Sequence, residues 1–101
     1  MKYFFMVTLT ATDDAWVEDY VTNVTKLVHQ HGGHYAVRTD KVDKREGDGP
    51  APGLAIIVEW PSKEAADAFY NDPAYEPYKQ ARKTGSVGEF LVVPGEDIAE
   101  A

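Results

Sequence analysis

The amino-acid sequence predicts an α+β fold in which four antiparallel strands form one sheet and the helices lie on one of its faces. Three observations predict it. Apolar residues alternate over four short runs and recur at helical spacing over the stretches between them. The runs come in the order βαββαβ, and glycine and proline cluster at the joints. That order is the ferredoxin-like split βαβ plan.

The first run, Tyr3–Leu9, sets Tyr3, Phe5, Val7 and Leu9 on one face and Phe4 and Met6 on the other, so both faces call for cover. Thr12, Asp13 and Asp14 offer N-capping side chains, with acids where a helix dipole favours them. Val17, Tyr20, Val21, Val24, Leu27, Val28 and His31 follow at spacings of three and four, which is one helical face. Gly32 and Gly33 end that helix. His34–Val42 reads as the second strand, with Tyr35, Val37 and Thr39 opposite Ala36, Arg38 and Asp40. Residues 43–53, DKREGDGPAPG, are a long, mobile hairpin loop by composition. Leu54–Trp60 is the third strand, with Leu54, Ile56, Val58 and Trp60 on one side. Pro61 bars further pairing and Ser62 caps a helix over Lys63–Asn71, which Asp72-Pro73 breaks. Pro77 opens a further turn to Thr84, and Gly85 stops it. Glu89–Pro94 is the last strand. Residues 1–95 then make a single domain, and the acidic residues 96–101 a frayed tail.

Helices cover only one face of such a sheet. Phe4, Met6, Ala55, Ile57, Phe90 and Val92 are expected on the other, and a face that apolar is expected to be covered. Packing two sheets face to face yields a homodimer with a shared barrel, so oligomerisation through the sheet face follows from strand patterning.

Composition narrows the function classes. The 101 residues are 44% hydrophobic and 12% aromatic, enough for a core without staples. There is no cysteine, which excludes disulfides and thiolate chemistry and suits a reducing, cytoplasmic setting. The net charge of −7 opposes nucleic acid and anionic membranes. The N-terminal apolar run is too short for a secretory signal, and no stretch reaches the roughly 20 apolar residues of a membrane span.

The segments HGGHYAVR (31–38), IIVEWPSKEAADAFYNDPAY (56–75) and Arg82 ahead of an FLVVPG strand resemble the domain-of-unknown-function 1330 family. The resemblance runs from about Tyr3 to Gly95 and is strongest over 56–82. It implies the dimeric α/β-barrel fold, allied to the antibiotic-biosynthesis monooxygenases, with no settled activity and no cofactor. The chain departs from the family at three places. Trp16 stands for a usual tyrosine, Gly53 for a frequent arginine, and the loop lacks an aromatic after Glu46-Gly47.

Candidate site residues come from this resemblance and from side-chain chemistry. Counting back from the hairpin loop pairs Arg38 with Glu59 on the face away from the helices, either as a structural ion pair or with Arg38 orienting a carboxylate ligand. His34 is a candidate general base at the pocket rim. His34, Arg38 and Glu59 are therefore the catalytic candidates. The histidines of HQHGGH give no metal site: His29 and His31 lie about 200° apart around a helix, and no carboxylate completes a set. Tyr20, Tyr70, Tyr75 and Arg82 are the ligand-binding candidates, several tyrosines near one arginine between the sheet and the broken second helix. Tyr78 and Arg82, at i and i+4, are placed to stack. Three functions fit: binding of a small aromatic or acidic molecule, cofactor-independent oxygenation or isomerisation, and ligand-free dimerisation. A cavity lined by tyrosine and arginine favours the first two, and a barrel packed solid the third.

Overall fold

The computed structural model of the chain describes residues 1–100; Ala101, the end of the expected tail, lies outside the described residues. Seven elements follow in order: β1 (Tyr3–Ala11), α1 (Val17–Gln30), β2 (His34–Thr39), β3 (Leu54–Trp60), α2 (Lys63–Tyr70), α3 (Glu76–Gly85) and β4 (Ser86–Pro94). The strands form one sheet in the order β2-β3-β1-β4, with every neighbouring pair antiparallel. This is the ferredoxin-like arrangement, with the second helix in two pieces.

Local chemistry sets the joints. Ser62 is extended, and its hydroxyl accepts from Ala65 N at 3.1 Å, capping α2. The acids before α1 act one turn earlier than expected: Asp13 Oδ1 accepts from Ala15 N at 2.9 Å, and α1 starts behind Trp16 without a side-chain cap. Gly32 ends α1 with φ of 85°, a conformation that a side chain disfavours. At the break between α2 and α3, Asp72 Oδ1 accepts from Ala74 N at 2.9 Å, and Pro77 sits in the first turn of α3.

The core lies between the sheet and the helices. Phe5, Val7 and Leu9 of β1 and Val58 and Trp60 of β3 meet Val24 and Val28 of α1, Ala66 and Phe69 of α2, and Tyr75. Aromatic rings run through it as a chain, with Trp60 to Phe69 at 5.3 Å between centroids and Phe69 to Tyr75 at 4.4 Å. At the backbone, α2 approaches β1 and β3 and α3 approaches β4, whereas α1 leans on α3.

Two expectations about the sheet are corrected. Strand β2 ends at Thr39 rather than Val42, and its register against β3 shifts between Tyr35 and Val37. Ala36 is the extra residue of this bulge. It turns Arg38 to the helix side, opposite Ile56. The whole strand is also displaced along β3 from the expected register, so His34, not Arg38, lies opposite Glu59. The expected Arg38–Glu59 pair therefore does not form. In β4, Val7 faces Phe90 and Phe5 faces Val92, which puts Phe90 and Val92 on the helix side. Leu91 and Val93 take the outer face instead, beside Met6 and Phe4.

Candidate functional site

A cavity of about 460 Å³ lies between the sheet and α1. Phe5, Val7, Ile56 and Val58 form its floor, and Tyr20, Val24 and Val28 its roof. Tyr75 and Arg82 form its α3 side. The exposed members of the lining, among them Thr10, Ala11, Val21, Arg38 and Gly53, gather at one end and mark the mouth. Buried Val28, Phe69 and Tyr75 close the other end. The gap expected beneath the broken second helix is thus mainly beneath α1, with the break between α2 and α3 closing it.

The polar groups of this space form a short series. Tyr20 and Tyr75 share a hydrogen bond of 2.7 Å between their hydroxyls. Burial, and then the neighbouring Tyr75, push the Tyr20 pKa far upward, so Tyr20 keeps its proton. Arg82 comes next, beside the Tyr75 hydroxyl, only 8% exposed and with its guanidinium 5.0 Å from the Phe90 ring centroid. Burial opposes its charge, Tyr75 and Tyr20 favour it, and the balance is upward, so Arg82 is a cation. Its Nε and Nη2 are shut off from water and have no hydrogen-bond partner. The expected stack of Arg82 on Tyr78 is replaced by this contact with Phe90.

Arg38 stands at the mouth. Its guanidinium lies 3.9 Å from the Tyr35 ring centroid, and Nη1 donates to Thr25 Oγ1 of α1 at 2.8 Å. Trp16 forms another part of the wall, edge-on to Tyr20 at 5.3 Å, and its Nε1 donates to Gly85 O at 3.0 Å. Among the described residues, the charged side chains lining the cavity are Arg38 and Arg82.

The sequence candidates are therefore distributed as follows. Tyr20, Tyr75 and Arg82 come together around one space, with Arg38 at its entrance. Tyr70 lines a second, more polar cavity of about 470 Å³ that Arg82 and Phe90 also border. His34 and Glu59 face each other on the outer side of the sheet, where Lys2 Nζ donates to Glu59 Oε1 at 3.1 Å. His31 joins Asp72, with Nε2 at 2.8 Å from Oδ2. Among the described residues, no three His, Asp or Glu side chains are grouped to hold a metal ion. Trp16, Tyr35 and Phe90 were not singled out as site residues by sequence reasoning. For Trp16 the signal was present, since Trp16 and Tyr20 are i and i+4 on one helical face.

The family described as Domain of unknown function (DUF1330) matches residues 2–96. The chain belongs to this family. Solved structures resemble this DUF1330 protein in fold. A protein of unknown function from Rhodopseudomonas palustris, RPA0582, superposes with a TM-score of 0.78 at 13% identity, covering 95% of this chain and 84% of that one. SnoaB, a cofactor-independent oxygenase from Streptomyces nogalater, gives 0.68 at 14% identity, covering 95% and 94%. An antibiotic biosynthesis monooxygenase gives 0.61 at 14% identity, covering 96% and 100%. At these identities the likeness is one of fold. No curated protein matches the chain. No helix among the described residues is long and apolar enough to cross a membrane.

Proposed function

We propose that this DUF1330 protein binds a small aromatic molecule with an acidic or hydrogen-bond-accepting group in the cavity beneath α1, and does so as a homodimer joined through the open sheet face. One observation carries the binding reading: an aromatic-walled space of about 460 Å³ whose charged lining groups, among the described residues, are two arginines. The volume is within the range of small-molecule sites, and walls of this kind with few convergent polar groups are their usual make-up. One of the Tyr20 and Tyr75 hydroxyls donates to the other, and the remaining O–H is a donor for a ligand oxygen. A purely structural dimerisation module has no use for such a space.

The test is a thermal-shift and fluorescence screen with planar aromatic acids, phenols and lactones on the wild type and on Leu54→Trp. Leu54 is a half-buried part of the lining, so the larger side chain fills the cavity. Binding by the wild type that Leu54→Trp loses while keeping its circular-dichroism spectrum supports the reading. No binding by either protein, or equal binding by both, overturns it.

Catalysis without a cofactor is the second reading. It is favoured by the paired tyrosine hydroxyls in a largely apolar chamber, which would hold the oxygen of an electron-rich aromatic substrate. Of the residues expected to be catalytic, His34 and Glu59 are on the far side of the sheet, and among the described residues the cavity lining has no side-chain carboxylate or imidazole to act as base. Oxygen uptake on a hydroquinone, lost in Tyr75→Phe, would establish this activity; equal uptake in both proteins would remove it.

A second copy of the chain is the occupant we assign to the outer face. Met6, Leu91 and Val37 there are 43%, 49% and 36% exposed, and Phe4, Ala55, Ile57 and Val93 extend the apolar patch. At its margin Lys2 and Glu59 pair with each other, so that corner of the face carries no unpaired charge of one sign against a second copy.

A further inference from the structure

We infer that the ligand is an aromatic monocarboxylate, bound with its two carboxylate oxygens on the Nε and Nη2 edge of Arg82. The inference rests on the cavity reading above and adds the chemical class and the anchoring residue. Nε–H and one N–H of Nη2 lie side by side on one edge of a guanidinium and point the same way. Their spacing matches the two oxygens of a carboxylate, which is why arginine takes that group bidentately. On Arg82 both donors of this edge are buried without a hydrogen-bond partner, the Tyr75 hydroxyl lies beside the side chain, and the residue is more than nine-tenths buried. Leaving two buried donors of a cation unmatched is costly, and no carboxylate of the chain among the described residues forms an ion pair with it. Arg82 forms part of the cavity wall, but these two donors are shut off from the cavity, so binding requires the guanidinium to turn its edge toward the ligand.

The rest of the ligand follows from the other walls. Phe5, Trp16, Tyr20, Tyr35, Tyr75 and Phe90 offer ring faces and edges, which suit a flat aromatic body. A second ligand charge has no buried partner, because Arg38 is exposed and already engaged by Thr25 and Tyr35. A phosphate carries more charge and more acceptors than a single guanidinium edge satisfies. One carboxylate matches the two donors of that edge.

The experiment compares 2-naphthoate with 2-naphthamide, which have the same aromatic body and differ in charge. Both are titrated into wild type, Arg82→Gln, Arg82→Lys and Arg38→Gln by calorimetry, with tryptophan fluorescence, from Trp16 and Trp60 together, as a second readout. In the wild type the acid is expected to bind about 10- to 100-fold more tightly than the amide, the range of a charge-assisted pair. Arg82→Gln is expected to abolish that preference, Arg82→Lys to retain part of it, and Arg38→Gln to leave it intact. Equal binding of acid and amide to the wild type overturns the carboxylate inference while the cavity reading stands. Loss of the preference in Arg38→Gln overturns the assignment to Arg82. If neither compound binds the wild type, the cavity reading fails and this inference with it. The wild-type comparison decides the class of ligand even if an Arg82 variant fails to fold.

Discussion

Gly85 has no side chain, and Trp16 occupies the space. A Cβ built on Gly85 would stand 2.3 Å from Trp16 Nε1, while the Gly85 carbonyl accepts from that same Nε1 at 3.0 Å and from Thr12 N at 2.8 Å. One residue therefore ties the loop before α1 to the end of α3 and fixes a wall of the cavity. Gly85→Ala is expected to destabilise the protein by about 1–3 kcal/mol, as overpacking does, measured by urea unfolding. Trp16→Leu introduced into Gly85→Ala is expected to recover part of that loss; strictly additive effects of the two changes would contradict the contact. Phe69 is the opposite case, a large side chain 2% exposed between Trp60 and Tyr75. Phe69→Ala is expected to cost about 3–5 kcal/mol in the same measurement. At this scale the sequence exposed what depends on spacing. Tyr20 and Tyr75 were legible through the family resemblance and the gathering of tyrosines near Arg82; Tyr20 lies on the helical face of α1 and Tyr75 in the break before α3. The contact of Trp16 with Gly85 was not legible, because it joins residues 69 positions apart.

Among the elements, the helices and strands were read from period, and their mutual register was not. Period gave β3 its bounds at Leu54 and Trp60 and placed the break between α2 and α3 at Asp72-Pro73. It could not reveal the bulge at Ala36, since one extra residue leaves composition and propensity unchanged and reverses every side chain beyond it. Nor could it choose a face in Phe90, Leu91, Val92 and Val93, where both alternating sets are apolar; pairing with β1 decided that. Two predictions belong here. Ser62→Ala removes the cap of α2 and is expected to cost about 1 kcal/mol, read by urea unfolding. The bond between His31 and Asp72 fastens the end of α1 to the break between α2 and α3. That bond, with Ala74 N as second donor, holds the Asp72 carboxyl below its ordinary value of 3.8. A depressed carboxyl pKa contributes stability that is complete above the ordinary value and lost as pH falls through the folded one. Unfolding free energies measured between about pH 6 and about pH 2.5 are therefore expected to fall less steeply in Asp72→Asn than in the wild type. Parallel curves would show that the bond contributes no pH dependence.

At the scale of the molecule, the sheet has a helix-covered face and an apolar open one. If a second copy covers the open face, Met6→Lys combined with Leu91→Lys, on residues paired across β1 and β4, is expected to yield monomers in sedimentation velocity. The wild type is expected to sediment as a dimer with a melting temperature that rises with protein concentration. A monomeric wild type would remove the dimer proposal and leave the cavity reading untouched, because the cavity is built from the other face. The charge distribution has a kinetic consequence. The chain carries −7 in all, yet the charges lining its cavity are both positive. An anion is thus repelled at a distance and attracted only on arrival, the reverse of electrostatic steering. Added salt, which shortens the screening length from about 30 Å at 0.01 M to about 10 Å at 0.1 M, should quicken its association rather than slow it. The protein would act toward anions as a slow gate with a firm hold, admitting them at a rate set by ionic strength.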